Sequence, residues 1–312
     1  MPRKPPEPLS SAPLAYENTA FLNSPDGRII RILSEYSEPL ARFRRERIRD
    51  TVVFFGSARF HALDEANHEL ELLENTGSTQ PAPEHEQPAS LDDIAQGTAS
   101  ELSLSRAKAA VEMAHYYEDA RRLAYLLTQW SKTLKSRRHR FVVTSGGGPG
   151  IMEAANRGAY EAGGKTIGLN IRLPFEQYPN RYITPSLNFE FHYFFMRKYW
   201  FAYLAKALVV FPGGFGTLDE MFEILTLAQT QKLAKKMPVV VYGSSYWNEV
   251  INFKVLVDKG TISPRDRDLF QFADTPDQAF DLLKAGLIQY HLDPEAAQAE
   301  QDEAPEIART RK

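Results

Sequence analysis

Two segments of the chain share one order: an apolar run of strand type, a cluster of glycines, and a helical pattern. The first is FVVTSGGGPG at 141–150, and the second is ALVVFPGGFG at 207–216. Such glycines let the backbone approach a ligand without side-chain obstruction. The helix that follows offers unpaired N–H groups and a positive dipole end, which suit a phosphate. Ligands of open parallel sheets bind at the carboxyl ends of the strands, so the sequence predicts one phosphate site where both turns meet.

Strand-like and helix-like patterns alternate along most of the chain. The predicted strands are 51–55, 141–144, 166–170, 207–211, 239–242 and 269–272. The predicted helices are 106–132, 150–162, 192–204, 218–232, 246–258 and 276–286, with a partly helical segment at 28–48. This alternation is typical of α/β folds. We therefore predict a Rossmann-like, doubly wound and mainly parallel sheet with helices on both faces.

Composition divides the chain into three parts. Residues 1–48 are predicted to form a flexible N-terminus and a helical arm, 49–291 the Rossmann-like domain, and 292–312 a flexible C-terminal tail. The segment 61–105 contains ten Asp or Glu residues and neither Lys nor Arg. Because acidic, proline-containing segments bury little apolar surface, we predict that 61–105 is a disordered insertion.

Charge and residue usage exclude several classes of function. The formal net charge of −3 gives no basis for general affinity to nucleic acid or to a membrane, so neither is expected as a partner. The absence of cysteine excludes disulfides, thiolate nucleophiles and cysteine-type zinc sites. The seven histidines show no ligand spacing, and we expect no metal and no cofactor. No apolar run approaches the roughly 18 residues of a membrane-spanning helix, so the expected location is cytoplasmic.

The first glycine turn has two other interpretations. It can be merely tight, or it can be a degenerate dinucleotide fingerprint, because its spacing is G-G-G-x-G and no clear ribose-binding acid follows. We favour phosphate binding. The segment GGKT at 163–166 looks like the end of a P-loop, but Ala159 stands where the first glycine is required. That segment also runs from helix into strand, so a P-loop is rejected.

Glu220, just after the second turn, has two interpretations. Thr217 and Glu220 are three residues apart, which is the spacing of a capping box, so Glu220 can simply cap its helix. Against this, Gly213, Gly214 and Gly216 give a clearance that a cap does not need. A carboxylate near a phosphate is also electrostatically costly unless it has a function. From these residues alone, capping and catalysis both stay open.

The segment PGGFGTLDE at 212–220 matches every fixed position of P-G-G-x-G-T-x-x-E. Together with the glycine run at 146–158, it makes the chain resemble the LOG family, whose members are nucleoside 5′-monophosphate phosphoribohydrolases often labelled "lysine decarboxylase-like". FGS at 55–57 resembles the first-strand turn of that family, and MRK at 196–198 resembles its arginine–lysine element. The resemblance covers about 51–60 and 106–260.

This resemblance implies hydrolysis of the N-glycosidic bond of AMP or a cytokinin-type nucleotide, giving free base and ribose 5-phosphate. It implies catalysis by Glu220 and Arg197. It also implies a homodimer or a dimer-based higher oligomer. The residues that it implies for binding phosphate and nucleotide are Ser57, Gly147, Gly148, Gly213, Gly214, Gly216 and Thr217.

Three residues are second-tier candidates. Lys198 is interpreted as a salt-bridge or packing residue in preference to a cofactor-bearing lysine. Glu153 and Asn156, on the helix after the first turn, can support the site. Arg197 itself has the alternative interpretation of a surface arginine on an aromatic helix. Two other functions stay open: a carrier of a nucleotide or phosphorylated cofactor, and a nucleotide sensor.

Overall fold

Seven strands form one parallel sheet in the computed structural model, which describes residues 11–76, 99–174, 178–233 and 236–293. The strands are β1 (Thr51–Phe55), β2 (Val142–Ser145), β3 (Thr166–Ile171), β4 (Asn188–Phe191), β5 (Ala205–Val210), β6 (Val239–Tyr242) and β7 (Gln271–Ala273). Their order across the sheet is β4-β3-β2-β1-β5-β6-β7. Every neighbouring pair among them runs parallel.

Helices connect these strands. They are α1 (Thr19–Asn23), α2 (Arg28–Arg45), α3 (Leu63–Thr76), α4 (Ala99–Thr133), α5 (Ile151–Glu161), α6 (Phe194–Leu204), α7 (Phe215–Gln229), α8 (Ser244–Val250), α9 (Phe253–Asp258) and α10 (Pro276–Leu287). The Thr-Pro-Asp signal at 275–277 predicts the start of α10, and the Thr275 side chain does accept a hydrogen bond from the N–H of Gln278. No helix within the described ranges is long and apolar enough to cross a membrane.

Two apolar cores cover the two faces of the sheet. In β1, Val53 and Phe55 belong to one core, whereas Val52 and Phe54 belong to the other. This alternation follows from the two-residue period of a strand whose two faces are both covered. The predicted α/β class and doubly wound, Rossmann-like architecture are confirmed.

The order of the strands places a topological switch point at the centre of the sheet. From β1 the chain proceeds through β2 and β3 to β4 at one edge, and it then returns to β5 and continues to β7 at the other edge. Consequently β1 and β5 are neighbours, although about 150 residues separate them in sequence. Ligands of open α/β sheets bind in the crevice at such a point.

Several predicted elements differ from the observed ones. Strand β4 was not predicted, because its four residues lie beside an aromatic run that indicates a helix. The single helix predicted at 246–258 is two helices, since Ile251 is extended and the Asn252 side chain caps α9. A 3₁₀ turn at Pro264–Leu269 moves the start of the last strand from 269 to 271.

The acidic segment is more ordered than the composition indicates. Residues 63–76 form α3, which corrects the prediction of a disordered insertion across the whole of 61–105. Its physical basis is burial of Ala62 and Ala66, four residues apart, while the acidic side chains of α3 face outward. Helix α4 begins at 99 rather than 106, and residues 77–98 lie outside the described residues.

The helical arm predicted within 1–48 packs against α6. The carboxylate of Glu35, on α2, accepts hydrogen bonds from the N–H groups of His192 (2.8 Å) and Tyr193 (3.2 Å), where α6 begins. The Trp200 indole N–H donates to the backbone carbonyl of Glu35 at 2.9 Å. The arm therefore holds the helix on which Arg197 and Lys198 lie. Residues 1–10 and 294–312, predicted as flexible ends, lie outside the described residues.

Candidate active site

The backbone of Ser57 joins the two glycine turns. Its N–H donates to the carbonyl of Pro212 in the second turn at 2.9 Å, and its carbonyl accepts from the N–H of Ile151 after the first turn at 3.0 Å. Ser57 follows β1, so the ends of three adjacent strands are tied together at the switch point. The structure thus brings the two turns to one place, as the sequence predicts.

Glycine is required where these backbones meet. A Cβ on Gly150 would lie 2.3 Å from the Ser57 carbonyl oxygen, and one on Gly213 would lie 2.9 Å from the Ser57 nitrogen. A Cβ on Gly56 would lie 2.6 Å from the side chain of Ile151. These separations leave no room for a side chain, so the three glycines allow the turns to approach each other.

Buried side chains pin the first turn. The Gly147 N–H donates to the Ser145 hydroxyl at 3.1 Å. The Asn180 side-chain amide donates to the carbonyls of Gly147 and Gly148, both at 3.1 Å. The Asn156 carbonyl oxygen accepts from the Ser145 hydroxyl (2.7 Å) and from the Asn180 amide (2.9 Å). Because the N–H of Gly147 is already paired, this turn has a preformed shape and offers fewer free donors than its glycines suggest.

Asn180 is a residue that the sequence analysis missed. It lies in the connection between β3 and β4 and is buried, and its own N–H donates to the Gly147 carbonyl at 2.8 Å. No local motif marks it, because its partners are 32 and 33 residues away. The second-tier prediction for Asn156 is consistent with its place at the centre of this network. Glu153 lies one turn earlier on α5 and accepts a hydrogen bond from the Tyr117 hydroxyl at 3.1 Å.

The second turn faces open space, whereas protein groups surround the first. A Cβ on Gly214 or on Gly216 would meet nothing within 4 Å, and neither residue has a positive φ. Helix α7 begins at Phe215 with Gly214 as its N-cap, and no side chain caps it. Its first N–H groups therefore have no acceptor within the described part of the chain. The fold itself does not require these two glycines, so the space in front of them is available to a ligand.

Glu220 does not cap its helix. Since α7 begins at Phe215, Thr217 is the third helical residue, and its hydroxyl packs beside Gly213 instead of closing a capping box. Glu220 lies in the second turn of α7 and is 8% exposed. The capping interpretation is therefore wrong, and the buried carboxylate needs another explanation.

Burial sets the electrostatics of Glu220. Loss of water raises the pKa of its carboxyl to about 7, although the positive charges of Lys198 and Arg197 act to lower that pKa. Lys198 Nζ lies 3.9 Å from a Glu220 carboxylate oxygen. A carboxyl group with this pKa exists in both protonation states near neutral pH, which is typical of groups that exchange protons or charge at functional sites.

Lys198 links α6 to α7. Its ammonium group contacts carboxylate oxygens of Asp219 and Glu223, each at 2.7 Å. Burial acts to lower the pKa of Lys198, but the hydrogen bonds to Asp219 and Glu223 outweigh it and the pKa is raised. This geometry agrees with the salt-bridge interpretation of Lys198, and the lysine also places a positive charge beside Glu220.

Arg197 lies between the first turn and Glu220. Its Nε donates to the Leu169 carbonyl at 2.7 Å, and its guanidinium lies 5.1 Å from the centroid of the Phe201 ring. One guanidinium nitrogen is 2.5 Å from the position that a Cβ on Gly146 would occupy. Burial lowers the pKa of Arg197 and the charge of Glu220 opposes this shift. These contacts exclude the interpretation of Arg197 as a free surface arginine.

Comparisons with known proteins show what part of the chain is similar to. Residues 152–283 match the family model described as "Possible lysine decarboxylase". A probable cytokinin riboside 5′-monophosphate phosphoribohydrolase of Oryza sativa subsp. japonica is 28% identical over 161 residues, which are 48% of this chain and 70% of the relative. Residues 152–283 therefore resemble a LOG-type domain.

Two further similarities accompany this domain. A cytokinin riboside 5′-monophosphate phosphoribohydrolase of Arabidopsis thaliana is 28% identical over 151 residues, so the match spans 46% of this chain and 63% of that relative. The solved molybdenum cofactor binding protein of the phototrophic bacterium Rippkaea orientalis is 19% identical, with a TM-score of 0.40 over 55% of this chain and 86% of that one.

The contrast between packed and open glycines in the two turns can be tested by stability. We expect Gly216→Ala to leave the free energy of unfolding unchanged or to raise it by up to about 1 kcal/mol, because alanine favours a helix and meets no atom. Gly147→Ala should lower it by about 2 kcal/mol or more, since Gly147 has φ +80° and faces Asn170. Urea unfolding of both variants measures this. Equal losses would contradict the assignment of Gly216 to open space.

The raised pKa of Glu220 predicts a pH-dependent stability difference. Ionising the buried carboxyl costs the folded state free energy, and this cost is absent well below the ordinary pKa of 4.5 and complete above about 7. Glutamine resembles the neutral acid at every pH. From pH 5 to pH 8.5 the unfolding free energy of Glu220→Gln should therefore improve relative to wild type by about 2 kcal/mol. Packing changes contribute equally at both pH values. A difference in unfolding free energy that does not change with pH would therefore refute the raised pKa of Glu220.

Proposed function

We propose that this protein is a nucleoside 5′-monophosphate phosphoribohydrolase, which hydrolyses the N-glycosidic bond of AMP or a cytokinin-type nucleotide to free base and ribose 5-phosphate. The observation that carries the proposal is the pairing of a buried, non-capping carboxylate, Glu220, with an open and uncapped N-terminus of the same helix. The names of the relatives from rice and Arabidopsis support the same class of reaction.

The helix sets the distance between the two parts of the proposed site. Gly216 and Glu220 are four residues apart on α7, which is about one turn or about 6 Å along the axis. A phosphate held at the N-terminus by backbone N–H groups would leave the sugar of the same nucleotide beside Glu220. Binding energy from the phosphate, which is remote from the bond that breaks, then helps to hold the ribose in a reactive geometry.

The carboxylate has a direct role in this chemistry. Breaking a glycosidic bond passes through a transition state with positive charge on the sugar. Ionised Glu220 would stabilise that charge, hold the sugar hydroxyls, or activate the attacking water. Arg197, next to the first turn, would pair with the phosphate or orient the carboxylate through charge-assisted hydrogen bonds. Stabilising the positive sugar and activating water both need the ionised carboxylate, so we expect kcat/KM to rise with pH through about 7.

The proposal is tested by product release from nucleoside monophosphates. Wild-type protein is incubated with AMP and with a prenylated AMP, and free base and ribose 5-phosphate are quantified. We expect turnover, and we expect Glu220→Gln to lower kcat by about 10²- to 10⁴-fold, the range for loss of a positioned acid or base. The matched control is Glu112→Gln, a glutamate exposed on α4, which should keep wild-type turnover.

Two outcomes of this assay would contradict the proposal, one in its mechanism and the other in the reaction itself. Near-normal turnover by a folded Glu220→Gln would exclude the carboxylate as stabiliser of the sugar charge and as activator of water. Tight binding of the nucleotides by wild-type protein without any turnover would replace the hydrolase by a carrier or a sensor.

We also propose that two copies associate through the aromatic side chains that α6 and α7 expose. Phe215 is 92% exposed at the start of α7, Phe222 lies two turns later, and Phe194 and Phe195 are about half exposed on α6. A large exposed apolar patch marks an association site, and we propose that these four side chains form one. Light scattering should give wild type a mass near twice 35.4 kDa and Phe222→Asp a mass near 35.4 kDa. A monomeric wild type would contradict the association.

A further inference from the structure

Tyr246 contacts the second glycine turn from a distant part of the chain. It lies on α8, after β6, and its hydroxyl donates to the Gly213 carbonyl at 3.0 Å across 33 residues of sequence. Burial raises the pKa of this phenol, so the hydroxyl keeps its proton and acts as a donor. No sequence motif in the two turns points to this tyrosine.

Gly213 is fixed on its other sides as well. The carbonyl before it, from Pro212, accepts from the Ser57 N–H at 2.9 Å. A Cβ on Gly213 would lie 2.2 Å from the hydroxyl of Thr217. Two successive peptide groups in this turn are thus each held by a hydrogen bond to the carbonyl oxygen.

In a trans peptide, a hydrogen bond that holds the carbonyl also fixes the direction of the N–H. Its C=O and N–H point in opposite directions in one plane. When Tyr246 holds the Gly213 carbonyl, the Gly214 N–H of the same peptide points to the other side. That N–H has no acceptor within the described ranges, and the surroundings of Gly214 are open.

The hydroxyl of Tyr246 is not required for packing. Its neighbour Trp247 is fully buried and supplies the core contact of α8, with its indole N–H bonded to the Tyr242 carbonyl at 2.9 Å. The Tyr246 ring is only partly buried and stacks edge-on against Trp247 at 5.2 Å. The one polar partner of the hydroxyl within the described residues is the turn itself.

We infer that Tyr246 is a positioning residue for phosphate recognition, because its hydrogen bond holds the Gly213–Gly214 peptide with the Gly214 N–H directed at the phosphate of the ligand. The inference rests on the phosphate-binding part of the proposed function and not on the hydrolysis step. It implies that the contact between α8 and the second turn favours a 5′-phosphorylated ligand over the bare nucleoside.

The test compares binding of ribose 5-phosphate to wild type, Tyr246→Phe and Tyr242→Phe by titration calorimetry. Tyr242→Phe is the matched control, because it also removes a partly buried tyrosine hydroxyl, which donates to Asp119 at 2.8 Å and does not contact either turn. We expect Tyr246→Phe to weaken binding about tenfold, as for loss of one well-placed donor to an anion. Tyr242→Phe should bind as wild type does, even where its stability falls.

The kinetic form of the same test separates positioning from general damage. Tyr246→Phe should raise KM for AMP about tenfold with kcat little changed, while any hydrolysis of adenosine stays at the wild-type level. Unchanged affinity of a folded Tyr246→Phe for ribose 5-phosphate would overturn the inference, as would equal weakening in both variants. Failure of wild type to bind ribose 5-phosphate would overturn it together with the phosphate site. If wild type binds ribose 5-phosphate but does not hydrolyse AMP, only the hydrolase proposal is refuted. The comparison of Tyr246→Phe with Tyr242→Phe then still tests the inference.

Discussion

The site depends on one short backbone contact, in which Ser57 bonds to one glycine turn through its N–H and to the other through its carbonyl. Both bonds are possible because Gly150 and Gly213 have no side chain at the points of approach. Any Cβ there would force apart the ends of three adjacent strands. The parallel sheet brings these ends together, but the contact at Ser57 sets how closely the N-termini of α5 and α7 face the same space.

The polar groups of the first turn are paired within the protein, whereas Glu220 is buried at an electrostatic cost. The network of Asn156, Asn180 and Ser145 makes the first turn rigid with its own groups, so little water is needed there. Burial removes water from Glu220 and raises the pKa of its carboxyl to about 7. Two cations, Arg197 and Lys198, offset part of this cost. Folding alone would be served better by an apolar residue, and a charge kept at such a cost is characteristic of functional sites.

Sequence patterns predicted the parts of this fold that local chemistry determines. Strands with apolar runs, glycine turns and the Thr275 cap are encoded by neighbours in sequence, and they were placed within a few residues. Interactions between distant segments were not predictable in this way. Strand β4, the helix at 63–76, and the pinning of the first turn by Asn180 depend on contacts that appear only after the sheet has formed. The same holds for Glu220, whose capping-box spacing is coincidental once α7 starts at Phe215.

The glycines of the two turns have similar positions in the sequence but different surroundings in the structure. In the sequence, Gly147, Gly213, Gly214 and Gly216 are equivalent members of two phosphate-binding turns. In the structure, Gly147 and Gly213 are required by protein atoms within 3 Å, whereas Gly214 and Gly216 face open space without positive φ. The first pair is therefore explained by folding. The second pair has no steric reason, because a Cβ would meet no atom at either position. Under the proposed function, a ligand that must come close to the backbone supplies the reason that the fold does not.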